Sequence, residues 1–172
     1  LAANVTGGVT GGGDADSFNI SASQSGTIDG QEGSDQYTIE ALNVTATLAD
    51  SGVADTDTLT AFATGSDTAI WALSGTDLTL NQGTGTVTFN SFNTLEALVG
   101  NATAHTTEGT ASNTFDIAAA FTGDITGGAG RDTFDVKLLL TGQLSGAAGN
   151  DQFDLAANVT GGVTGGGDAD SF

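Results

Sequence analysis

Gly127-Gly128-Ala129-Gly130-Arg131-Asp132-Thr133-Phe134-Asp135 is a glycine-rich turn, then an aspartate, then the start of an apolar strand. The pattern returns as Gly146-Ala147-Ala148-Gly149-Asn150-Asp151-Gln152-Phe153-Asp154, and again as Gly165-Gly166-Gly167-Asp168-Ala169-Asp170-Ser171-Phe172. Phe115, Phe134, Phe153 and Phe172 stand 19 residues apart. Phe18 and Tyr37 keep that step, with Asp16 and Asp35 two residues before each ring. Self-similarity at a period of about 20 marks a solenoid, in which each repeat is one coil.

Outward from the ring, each regular coil alternates as a strand must. Asp116, Asp135 and Asp154 point out, and Ile117, Val136 and Leu155 point in. A second turn follows at Thr122-Gly123, Thr141-Gly142 and Thr160-Gly161, and then a second apolar run opens at Ile125, Leu144 and Val163. Glycine, threonine, aspartate and asparagine dominate, so helix is disfavoured. The fold class expected is all-β, a parallel β-solenoid (a β-roll or β-helix) of about 19 residues per coil.

Residues 1–18, LAANVTGGVTGGGDADSF, are identical to residues 155–172, an offset of 154. The chain reads as one continuous solenoid segment, a window on a tandem array whose unit is 154 residues. Phe18, Tyr37, Leu59, Leu78, Leu95, Phe115, Phe134 and Phe153 serve as coil anchors, about eight coils per unit. At about 4.8 Å per coil that is roughly 38 Å of length. The stretch 59–110 is less regular, with β-type runs at 77–80 and 86–89. Trp71, the one tryptophan, reads as core or as a plug between coils.

Composition narrows the function. The 172 residues include 21 acidic and 2 basic side chains, for a net charge of −19. Such a surface repels nucleic acid and anionic membranes and attracts cations. There is no cysteine, hence no disulfide framework and no thiolate metal site. No apolar run of about 18 residues suggests membrane insertion in this segment. The first residues lack the basic and apolar regions of a signal peptide.

The stretch 127–135 resembles the RTX calcium-binding repeat, GGxGxDxUx, where U is a large apolar residue. Stretch 146–154 matches it except at Ala147. Stretches 11–19 and 165–172 carry Asp14 and Asp168 at the fourth place, and stretch 30–38 carries Gln31 at the second and Tyr37 at U. The resemblance implies Ca2+ in the turns between successive coils, held by carboxylates and glycine carbonyls. Carried onto this chain, the ligands are Asp16, Asp35, Asp57, Asp132, Asp151 and Asp170, with the carbonyls of Gly11, Gly30, Gly127, Gly146 and Gly165. Thr76, Asn93 and Asn113 take the ladder place in the other coils. Unlike an RTX roll, the motif lies on one side of the coil only, so calcium is expected along one edge or along none.

Electrostatics leads towards a cation as well. Carboxylates stacked about 5 Å apart repel by roughly 3 kcal/mol at an effective dielectric near 20, and a hard cation turns that repulsion into coordination. The other reading stays open: the aspartates make Asx-type hydrogen bonds to their own turns.

The stretch from Ile70 to Asn101, with Trp71, Phe89, Phe92 and Leu95-Glu96-Ala97-Leu98-Val99-Gly100-Asn101, resembles repeats of giant bacterial surface adhesins. That resemblance implies a secreted, cell-surface or matrix protein, commonly exported by a type I system. The expected function is a structural extracellular filament or stalk of an adhesin or biofilm matrix, and not an enzyme. Its partners would be neighbouring identical repeats, other filaments or cell-surface glycans, with no nucleic acid. A carbohydrate- or cell-binding module is the alternative. A polysaccharide lyase would need a basic group in a cleft, and only Arg131 and Lys137 are basic. An ice-binding solenoid would need a flat threonine array, and Thr122, Thr141 and Thr160 have mixed neighbours. His105 has no second histidine with which to share a metal, and reads as an exposed turn residue.

Overall fold

The structure is a computed structural model; it describes residues 1–52, 56–61, 68–74, 77–90, 95–101 and 112–172. Thr76, Asn93 and His105 lie outside the described residues.

The described chain is all-β, wound as a solenoid with two main walls. The first wall holds nine strands in the order β1 (Val9–Gly12), β3 (Thr27–Gln31), β5 (Ala46–Ala49), β9 (Gly85–Asn90), β8 (Asp77–Gln82), β7 (Thr68–Ser74), β11 (Ser112–Ile117), β14 (Thr133–Val136) and β17 (Gln152–Leu155). The second holds seven: β2 (Ser17–Ile20), β4 (Gln36–Ile39), β6 (Asp57–Thr60), β10 (Leu95–Asn101), β13 (Asp124–Ala129), β16 (Leu144–Ala148) and β18 (Val163–Gly167). A short third side pairs β12 (Phe121–Thr122) with β15 (Leu140–Thr141).

The regular coils stack in parallel and in register. Phe18 lies on Tyr37, Phe115 on Phe134, Phe134 on Phe153, and Ile125 on Leu144. Alternate residues of each strand face inwards, so like falls on like and a narrow apolar core runs along the axis. The rings form a file in the first wall: Trp71, Phe115, Phe134, Phe153 and Phe172, with centroids 4.8–5.3 Å apart and planes within 17°. A shorter file, Phe18 on Tyr37, stands in the second wall at 5.2 Å. Trp71 is fully buried and belongs to the core.

The irregular middle is where the structure departs from the even eight-coil reading. There β7, β8 and β9 form an antiparallel meander within the first wall. Its outer strands pair in parallel, β9 with β5 and β7 with β11. The β8–β9 connection is Gly83-Thr84, with Gly83 at φ 60° and both the amide and hydroxyl of Thr84 donating to Asn43 Oδ1. Leu78 therefore anchors no coil of its own; it lies opposite Leu73 and Phe89 in the same wall. In the second wall Leu98, not Leu95, falls on Leu59. One turn absorbs three strands where others use one, so the chain makes about seven turns.

Glycine is not the only residue that the turns accept. Gln31 and Ala147, which interrupt the glycine pattern, sit at φ 75° and 76°, beside Gly128 at 107° and Gly166 at 112° in equivalent turns. The turn shape persists where the side chain opposes it, because the strands on either side fix it.

Candidate functional site

Each ladder aspartate stands where the chain turns from one wall into the next. Asp16, Asp35 and Asp57 lie where the chain passes from the first wall to the second; Asp132, Asp151 and Asp170 lie where it passes from the second to the first. The residues expected along one edge thus form two ladders on opposite edges.

Within each ladder the carboxylates act along the axis. Asp35 Oδ1 accepts the Asp16 amide at 2.8 Å, and Asp57 Oδ1 accepts the Asp35 amide at 2.9 Å. In the second ladder Asp132 Oδ1 accepts from Asn113 N at 2.6 Å, Asp151 Oδ1 from Asp132 N at 2.8 Å, and Asp170 Oδ1 from Asp151 N at 3.0 Å. These bonds reach the preceding coil, not the residue's own turn as the Asx reading expected. Each satisfies a turn amide that no strand partner reaches, so the ladder locks coil to coil.

The glycines earlier in each motif explain themselves against these carboxylates. A Cβ on Gly127 would overlap Asp132 Oδ2 and come within 2.9 Å of Gly146 O. Gly11, Gly30, Gly146 and Gly165 are closed in the same way by Asp16, Asp35, Asp151 and Asp170. A Cβ on Gly11, Gly127 or Gly146 would also crowd the carbonyl of Gly30, Gly146 or Gly165 in the adjoining coil. Gly127→Ala is expected to cost about 1–3 kcal/mol through overpacking. In a double-mutant cycle, Asp132→Ala should recover part of that loss, because it removes the overlapping atom. Urea midpoints of the four variants measure this, and strict additivity would refute the contact.

Oδ2 of Asp132 and of Asp151 is buried with no hydrogen-bond partner. Burial is the main cause that raises the Asp132 carboxyl to about 7, with the Asp151 charge adding and the Asn113 hydrogen bonds opposing. Asp151 is raised as well, chiefly by burial. Asn113 shows what this position asks for. Its Nδ2 stands where the aspartates have Oδ2, and donates to Gly127 O at 2.9 Å; its Oδ1 accepts from Trp71 Nε1 at 3.2 Å. At the aspartate levels the carboxylate needs a proton or a cation to face a carbonyl equally well.

The first ladder adds a residue outside the motif. Asp50 joins Asp35 and Asp57, all buried, with a carboxylate oxygen from each lying within 4.8 Å of the others. Asp50 Oδ1 accepts the Gly52 amide at 2.8 Å. The Tyr37 hydroxyl lies 3.0 Å from Asp50 Oδ2 and 2.9 Å from Ala49 O, and accepts from Gly30 N at 2.8 Å. Burial, then the Asp50 charge, pushes the Tyr37 hydroxyl upwards, so it stays protonated and donates. Spacing could not have found Asp50, since it falls between two motif copies. The two basic residues lie far along the chain, and Lys137 is engaged with Asp116 at 2.7 Å and Asp135 at 2.9 Å. Three buried carboxylates with carbonyl and phenol oxygens beside them fit a hard divalent cation in donor chemistry.

No protein-family model, no curated protein and no solved structure matches this chain. Its class rests on the fold: a tandem-repeat, parallel β-solenoid with axial aspartate ladders. Among the described residues no helix is long and apolar enough to cross a membrane.

Proposed function

We propose that this chain is a structural, non-catalytic segment of an extracellular bacterial filament or stalk, in an adhesin or a biofilm matrix. The observation that carries the reading is the repeated register. Each regular coil binds its neighbour by the same strand pairs, ring stack and axial carboxylate, so length scales with repeat number without new contacts. Its partners are neighbouring identical repeats, with other filaments or cell-surface glycans alongside. The net charge of −19 keeps such a rod soluble and turns polyanions away.

Calcium is the cation proposed. Asp35, Asp50 and Asp57 would hold it at the first edge, and Asp132, Asp151 and Asp170 with the neighbouring glycine carbonyls at the second. Bound there, it would neutralise buried carboxylates and brace adjacent coils.

Far-UV circular dichroism with thermal melting tests this, in excess EGTA and then across a calcium titration. The expected result is a β-spectrum whose midpoint rises with calcium, by an amount set by mass action. Asp50→Asn should remove part of the rise. A midpoint indifferent to calcium would withdraw the ion and leave the ladders as hydrogen-bonding devices alone.

A further inference from the structure

The same eighteen residues occur twice, and the structure shows them in two different places. As residues 1–18 they supply β1 to the first wall, and Phe18 enters the second. As residues 155–172 they supply β18 to the second wall, and Phe172 enters the file of rings in the first. Among the described residues, from β1 to β18, the chain visits the walls alternately, seven times each, with the meander counting as one visit. Fourteen visits are thirteen crossings, or six and a half coils for 154 residues.

We infer that the 154-residue unit advances the solenoid by an odd number of half-coils, so that each unit of a tandem chain is turned half a revolution about the axis relative to the one before. The interaction surface is the coil 155–172, and its partner is a segment of the kind found at 19–39 in the following unit. This rests on the tandem-filament reading above.

The two copies specify the junction between them. Below, Val163 lies on Leu144; above, its counterpart Val9 lies beneath Ile28. Superposing the copies makes Leu144, valine and Ile28 successive rungs of one ladder. The rings agree: Phe153 on Phe172 at 4.8 Å continues into Phe18 on Tyr37 at 5.2 Å. So do the carboxylates, since Asp151 N donates to Asp170 Oδ1 at 3.0 Å, and Asp16 N, its counterpart one unit back, donates to Asp35 Oδ1 at 2.8 Å. Across the junction one ladder runs unbroken from Asn113 through Asp132, Asp151 and Asp170 to the next unit's counterparts of Asp35 and Asp57. The irregular stretch holding the meander then ends that ladder, and the next begins on the other edge.

The six-and-a-half-coil unit is about 31 Å long, and the structural period is two units, about 62 Å. The test is a chain of residues 1–172 followed by two further copies of 19–172. The sequence has no cysteine, so one can be placed per unit at Thr10 and its counterparts, exposed as Thr10 and as Thr164 here. Asp14→Cys, exposed and outside any strand, provides a second attachment point. Each thiol is coupled to a small gold particle and the rods are imaged by electron microscopy. Gold alternating between the two sides, at steps of about 31 Å along the rod, is the expected result. Gold on one side only of a continuous rod would overturn the half-turn and leave the filament reading standing. Separate beads in place of a rod would overturn the filament reading and the half-turn together, and would be recognised before any label is located.

Discussion

Phe134→Ala should lower the thermal midpoint by about 10 °C, the effect of roughly 3–5 kcal/mol in a chain of this size. Phe134 is fully buried between Phe115 at 5.0 Å and Phe153 at 4.8 Å, its ring within 5° of parallel to both. Truncation removes one large buried side chain and two stacking contacts at once, and the stack itself is worth about 0.5–1.5 kcal/mol per pair beyond burial. The neighbours cannot close the gap, because strand spacing fixes the distance between coils. A solenoid coil touches only the coils beside it, so the loss falls on one interface. The coils beyond β14 should then exchange their amide hydrogens ahead of the rest. Phe134→Leu, which keeps most of the volume, should cost about 1–1.5 kcal/mol. Thermal and urea denaturation followed by circular dichroism, with hydrogen exchange of the β17 and β18 amides, check both. A shift of under 3 °C for the alanine variant would mean that the ring file carries little of the stability.

The second large effect is on pH dependence, measured in EGTA. Asp132 ionises near 3.8 when unfolded, and only at about 7 when buried in the solenoid. A raised carboxyl binds its proton more tightly in the folded state, so stability falls as pH rises from about 4 and levels off above about 7. The cost at pH 8 is of order 4 kcal/mol for a shift of that size. Asp151 shifts the same way and steepens the fall. Asp132→Asn should flatten the Asp132 part of the profile and be more stable than the parent at pH 8. It keeps an acceptor for the Asn113 amide and supplies an N–H towards the glycine carbonyl, as Asn113 does one coil earlier. Asp132→Ala should be the least stable of the three at pH 5, where the parent is protonated and the alanine leaves the Asn113 amide without its 2.6 Å acceptor. Thermal melts from pH 4 to 9 decide it. A parent profile that does not fall with pH would refute the buried-acid account of the ladder. Excess calcium should lift the alkaline end of the parent curve more than that of the asparagine variant, which keeps only the Asp35–Asp50–Asp57 edge intact.

Much of the fold was legible in the sequence because its cause is periodic. Rings at 115, 134, 153 and 172, with alternating residues between them, admit one stacking register, and a slip would bring polar residues inside. The ladder residues were legible for the same reason. What the ladder does was not: spacing places Asp132 and Asp151 in line but cannot say whether a carboxylate turns to its own turn, to an ion or to the amide one coil back. The number of coils was hidden by an even count of anchors. Leu78 falls 19 residues after Leu59 yet belongs to a strand that runs backwards. Two alternating runs, DLTLNQ and GTVTFN, across Gly83-Thr84 were the available signal, since such a connection marks a hairpin. The opposite edges of the two ladders had no local signal, for a coil's wall is set by everything wound before it.

The axial carboxylates also give the rod a direction. Each reaches back to the amide of the coil before it, and every regular coil does so in the same sense. A stack built from that step has unlike ends: one offers turn carboxylates, the other turn amides. Two such ends are complementary to each other and not to themselves, so an end-on-end stack of copies would run head to tail. The molecule is in this sense a vector, and an assembly of many would inherit its arrow.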